Sequence, residues 1–223
     1  CERQGPLGKS GTAASNRPLP LAGVTIGKRK HQMFKLALGS FAAAVAMFIT
    51  GFVFFATPIG MIAYTTASEA QTAAVQTALA ANLPKTGTYM VPDPSTQSGT
   101  TLYGKGPVAM VHYNSNGFPV ADPSALLNGF IHELIVCLII AGALSGIASR
   151  VTDFASRAQL VVLFSLATTA LLTLGNPIWL HQDWAYNIYG LVANTVMLSV
   201  AGLVIARWFL PSAAQQPQES AGS

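Results

Sequence analysis

Four long apolar stretches punctuate the chain in an uneven rhythm. The first covers residues 36–57 and continues with few interruptions from Leu36 to Ala63. About sixty mostly polar residues follow. Three further runs then crowd together: from near Ala125 to Arg150, from about Gln159 to Leu180, and from Tyr186 to Arg207. Each has the roughly 20 mostly apolar residues that cross a bilayer at about 1.5 Å rise per residue. The pattern predicts an all-α membrane protein, a four-transmembrane-helix bundle. Short links near 150–158 and 181–185 make the last three helices antiparallel neighbours. Pro58 and Gly60 predict a kink or an end near the far side of the first helix.

The polar stretch carries local structure of its own. Ser68 is an N-cap candidate for a weakly amphipathic helix through Ala70, Ala73, Ala74, Leu79 and Ala80, stopping before Pro84. Pro107–Tyr113 reads as extended and β-prone, and Asn116-Gly117 is a strong turn dipeptide. One helix plus a short hairpin is therefore expected, a small cap rather than a full domain. The division is 1–33, a disordered basic cytoplasmic tail; 34–65, the first transmembrane helix; 66–124, an extracytoplasmic cap; 125–210, transmembrane helices two to four; and 211–223, a disordered C-terminal tail.

Charge sets the orientation. Charged residues make up only 9% of the chain, against about 25% in soluble domains. The net charge of +4 comes from cations at the ends of apolar runs, not from a nucleic-acid-binding face. Lys28, Arg29, Lys30, Lys35, Arg150, Arg157 and Arg207 fall on one side; Lys85 and Lys105 alone fall on the other. Cytoplasmic loops collect the cations, so both termini are expected inside and residues 66–124 periplasmic or otherwise outside. Trp179, Trp184 and Tyr186 would mark the outer rim and Trp208 the inner one. A lipid-anchored Cys1 would place the N-terminus outside and conflicts with that count. Two cysteines, Cys1 and Cys137, imply no disulfide framework.

Candidate chemistry is sparse. Gly8-Lys9-Ser10 ends like a phosphate-binding loop, but Arg3 replaces its first glycine and no strand precedes it. No nucleophile elbow occurs, and no aromatic platform accompanies the basic runs, so neither serine catalysis nor nucleic-acid binding is expected. His132 and Glu133 stand in the second apolar run, about two turns below its outer end. A carboxylate at the bilayer centre costs about 2.5–3.5 kcal/mol on insertion scales and less near the interface. At that shallow depth the expected role is hydrated and structural; the functional alternative is a proton or cation path. His181 and Asp183, in the outer link, could join them as a polar outer-face cluster. Such a set suits zinc, iron, manganese or a haem, but no His-Glu-x-x-His or Glu-x-x-His spacing supports it. No cofactor is expected.

Small residues give the clearer signal. Gly142 and Gly146 form a Gly-x-x-x-Gly step; Ala42, Ala46 and Thr50 repeat every four residues near Gly39; Gly190 and Asn194 do so in the last helix, beside Asn187. Small residues allow close helix approach, and buried amides bond across helices.

A glycine-containing first helix runs into an outer helix, then Leu83-Pro84, Gly87, Tyr89 and Pro92, then Gly106-Pro107 with Val111-His112-Tyr113. Three close helices follow. Over about residues 34–210 this resembles a poorly characterised family of small four-helix bacterial inner-membrane proteins with an outer loop after the first helix. The resemblance implies topology and a bacterial source, and carries no activity. The functional expectation is a non-enzymatic accessory or scaffold subunit, with lipids and a larger membrane protein complex as partners and no small-molecule substrate identified. A small transporter or ion pathway is the alternative, and a metal- or haem-bearing redox protein the second.

Overall fold

The computed structural model describes residues 22–210. Cys1, the Gly8–Ser10 fragment and the expected tail at 211–223 lie outside the described residues. Helix α1 runs Ala22–Phe55, α2 Glu69–Asn82, α3 Gln97–Lys105, α4 Pro123–Ile147, α5 Phe154–Leu180 and α6 Trp184–Trp208; strands β1, Gly87–Val91, and β2, Ala109–Tyr113, lie between α2 and α4. Four spans, Lys30–Phe55, α4, α5 and α6, are long and apolar enough to cross a membrane.

Two expected boundaries move. The basic residues before position 34 continue α1 back to Ala22 rather than forming a tail. That stretch has no proline after Pro20 and holds Lys, Arg, Gln and Met, good helix formers that extend an existing helix at little cost. At the other end α1 stops at Phe55, not 65, and a 3-10 turn spans Pro58–Ala63. Thr57 organises the break: its hydroxyl donates to the Val53 carbonyl at 2.6 Å and accepts from Ile59 N at 3.3 Å, with Pro58 at the first position of the turn. Gly60 sits so close to the chain above that a Cβ there would lie 2.8 Å from the Phe54 carbonyl oxygen.

The intervening segment departs further from expectation. α2 starts at Ser68 in a reciprocal capping box with Gln71. The two strands pair antiparallel, from Gly87 opposite Tyr113 to Val91 opposite Ala109, but no tight turn joins them. A third helix, α3, occupies the connection. Asp93 Oδ1 accepts from Ser95 N and Thr96 caps α3 through Gly99 N, so residues 93–99 carry their own helix start. Gly106 ends it at φ +69°, a left-handed conformation that suits glycine. The Asn114–Gly117 turn leads out of the sheet toward α4 instead of closing a hairpin.

Among the membrane helices, α5 packs most extensively on α6, α6 next on α1, and α1 on α4; α4 meets α6 only lightly and α5 hardly at all. The chain thus forms a row that bends at α1 and leaves α4 and α5 apart. Apart from Ile205 of α6, the most deeply buried apolar and hydroxyl residues are small: Ser40, Ala43 and Ala44 of α1, Cys137 and Ala141 of α4, Ala193 and Ala201 of α6. Small residues let the helices approach closely, and Met47, Leu144, Met197 and Ile205 fill the remaining core. Phe130 of α4 adds edge-to-face contacts with Phe41 and Phe48, ring centroids 5.8 and 5.7 Å apart.

Candidate functional site

Glu133 lies ten residues past Pro123, about 15 Å along α4 and nearer the middle of that helix than its end. The sequence places it at headgroup depth; the structure turns it into the bundle. A Cβ built on Gly51 of α1 would lie 3.6 Å from Glu133 Oε1 and 2.7 Å from Met197 Cε of α6, so the carboxyl group faces α1 and α6 where glycine makes room. Glu133 Oε2 is sealed from solvent and has no hydrogen-bond partner among the described residues. Buried Cys137 follows one turn below on the same helix.

The remaining three members of the expected outer-face cluster do not join it. His132 is exposed on α4. His181 is the C-cap of α5, at φ 53° and ψ 32°, the left-handed conformation that commonly ends helices. Asp183 is the N-cap of α6, its Oδ2 accepting from Tyr186 N at 2.7 Å. Two of the four are thus the stop and start signals of a three-residue link. Among the described residues no group of three or more His, Cys, Asp or Glu side chains comes together as a metal site would require.

The polar chemistry that the structure does assemble is a seam between α5 and α6. Arg157, Val161, Ser165 and Thr169 recur every four residues on α5 and are all buried. Thr169 Oγ1 lies 2.6 Å from Thr195 Oγ1, and Asn176 Nδ2 donates to Asn187 Oδ1 at 3.1 Å. Asn187 Nδ2 in turn donates to the Asp183 carbonyl at 2.8 Å. At the other end Arg157 donates from Nε to Val151 O at 2.7 Å and from Nη2 to Ala148 O at 3.0 Å, tying up carbonyls at the end of α4 and the link. Tyr189 of α6 donates to the Phe54 carbonyl near the end of α1 at 2.5 Å. Sequence reasoning missed Arg157 as a cap, and Thr169, Asn176 and Tyr189 as bridges. The four-residue spacing from Arg157 to Thr169 was the available signal.

The expected packing residues occupy different surroundings. Gly39 lies under Phe209, whose ring would be 2.6 Å from an added Cβ, and Gly190 faces Thr173 and Asn194. Ala42, Ala46 and Thr50 are half-buried beside the fully buried stripe of Ser40, Ala43 and Ala44. Asn194 is half-buried on α6. Gly142 and Gly146 meet nothing within 4 Å: their step faces away from the bundle. Gly202, which belongs to none of the expected steps, receives Val161, whose Cγ1 would lie 2.5 Å from a Cβ added there.

Because α4 and α5 stand apart, a groove of about 500 Å³ opens between them. Ile139, Ala143 and Ile147 of α4 face Leu160, Phe164 and Thr168 of α5 across it. Its lining is almost wholly apolar.

Fold and site together define a mostly helical, multi-pass membrane protein with a mixed helix-and-strand segment between its first two membrane helices. No protein-family model, curated protein sequence or solved structure matches the chain.

Proposed function

We propose that the protein is a non-enzymatic accessory or scaffold subunit of a larger complex in a bacterial inner membrane, with both termini cytoplasmic and residues 66–124 periplasmic. The cation distribution supports this orientation, and the likeness to small four-helix inner-membrane proteins agrees with it. One observation carries the functional reading: the apolar groove between α4 and α5, helices joined by only a short link that nonetheless do not pack together. Side chains of a partner's transmembrane helix laid along α4 and α5 would fill such a groove. The outward Gly142–Gly146 step on α4 offers a further close-approach face.

A photo-crosslinking side chain at Ile139 or Phe164 tests it in native membranes. One defined protein should be captured from both positions, co-purify in mild detergent, and be lost when Ala143→Trp fills the groove. Lipid adducts alone, with a solitary monomer after purification, would sink the reading.

Glu133 favours a second reading, an ion or proton path. Its buried Oε2 lacks a partner among the described residues, and ionisable groups inside membrane helices commonly mark such paths. Proteoliposomes carrying Glu133→Gln should then lose an ion or proton flux that the parent protein supports; equal fluxes would dispose of this alternative.

A further inference from the structure

The intervening segment holds a second concave surface, away from the helix groove. α2 and the end of β2, with the turn that follows, face each other across a cleft of about 670 Å³. That volume falls within the ~300–1,000 Å³ of ligand pockets. One wall is the α2 face of Val75, Gln76 and Leu79; the other runs from His112 to Gly117.

The second wall is held in shape by the protein itself. Thr86 Oγ1 accepts from Ser115 N at 3.0 Å and lies 2.9 Å from Ser115 Oγ. Asn114 Oδ1 accepts from Asn116 N at 3.0 Å, and His112 Nδ1 lies 3.1 Å from Thr88 Oγ1. α2 opens on the Ser68–Gln71 capping box, and none of its residues is buried. Among the described residues no Lys, Arg, Asp or Glu lines the cleft. Gln76, Asn116, Tyr113 and His112 line it instead, beside apolar Val75 and Leu79.

We propose that this cleft binds a neutral oligosaccharide. Carboxamides and hydroxyls both donate and accept, and so do sugar hydroxyls. A charged ligand would find only the His112 imidazole, whose Nδ1 already lies against Thr88 Oγ1, as a counter-charge. A wholly apolar one would strip water from these polar groups and give no hydrogen bonds back. A sugar ring can set its C–H face on Val75, Leu79 and the Tyr113 ring while its hydroxyls meet the amides. An extended peptide that adds to a sheet needs the backbone of a free strand edge. The cleft is lined by the last two residues of β2 and the turn, not by Ala109–Val111, so that mode lacks its ladder.

The test uses the full chain in phospholipid nanodiscs, free of sugar-headed detergent, titrated with cellotetraose, maltotetraose and tetra-N-acetylchitotetraose. At least one should bind saturably. Gln76→Ala should weaken it about tenfold, the cost of one or two lost hydrogen bonds. Tyr113→Phe, which removes only a hydroxyl, should weaken it less, and Gly142→Ala should leave it unchanged. Thermal melts that match the parent protein exclude misfolding as the cause. Three results would overturn the proposal: no saturable binding of any of the three at millimolar concentration, binding that survives a Gln76→Ala/Asn116→Ala double variant, or tighter binding of an uncharged peptide.

Discussion

Asn176 of α5 donates its side-chain amide to the side-chain oxygen of Asn187 on α6, 3.1 Å away, at the end of the bundle where the two helices are linked. Asn187 is buried, and its own amide continues to the Asp183 carbonyl. The pair therefore joins a helix contact to the cap of the link. A double-mutant cycle of Asn176→Ala and Asn187→Ala, read by unfolding in mixed micelles, should give a coupling energy of about 0.6–1.7 kcal/mol. Additive effects of the two changes would mean that the amides contribute separately.

Gly202 and Gly142 should respond oppositely to the same change. An alanine methyl at Gly202 would sit 2.5 Å from Val161 Cγ1, while one at Gly142 meets open space. Gly202→Ala should destabilise the protein by about 1–3 kcal/mol, as overpacking does. Gly142→Ala should be neutral or stabilising, by up to about 1 kcal/mol from helix propensity. The same unfolding assay compares the two.

Arg157 closes the link between α4 and α5 through the Val151 and Ala148 carbonyls. Arg157→Leu should cost about 1–3 kcal/mol, because buried carbonyls lose charged donors. Arg157→Lys should recover only part of it, since a lysine lacks the planar fork that reaches both acceptors. Full rescue by lysine would show that charge alone matters at this position.

Acid should loosen two helix starts. Hydrogen bonds from the Ser156 backbone and side chain hold the Asp153 carboxyl below the ordinary carboxylate range, and those from the Ser124 side chain and backbone do the same for Asp122. A carboxyl group whose folded value is depressed contributes stability above its unfolded value, about 3.9, and that stability is lost as pH falls through the folded value. Melting temperature should therefore hold between about pH 5 and 7 and decline below about pH 4. Asp153→Asn, which still caps but does not titrate, should flatten the decline; an unchanged profile would remove Asp153 as a cause.

Much of the architecture was legible in local sequence. The four membrane helices followed from apolar length, because a bilayer imposes that length on any spanning helix. Ser68 announced α2, and Pro58 the end of α1, since caps and prolines act within a turn of the backbone. α3 escaped notice although Asp93 and Thr96 carry its start; the polar residues around them gave no apolar period to follow. The sheet pairing of β1 with β2 also lay beyond a local reading, because the strands meet across an intervening helix.

The candidate sites divide along the same line. His181 and Asp183 look like ligands when polar residues are read along the chain, and only the geometry of the link makes them helix caps. Glu133 is visible in the sequence as one carboxylate in an apolar run. Its place beside Gly51, and the isolation of Oε2 among the described residues, depend on how the helices pack. Length, hydropathy and capping residues are properties of single segments, so the sequence by itself determined the number of membrane helices and several of their ends. Which small residues touch, which carboxyl oxygen is sealed, and which helices stand apart to leave a groove are relations between segments distant in the chain. Tertiary structure alone decided those, because burial belongs to the packed whole and not to any one helix.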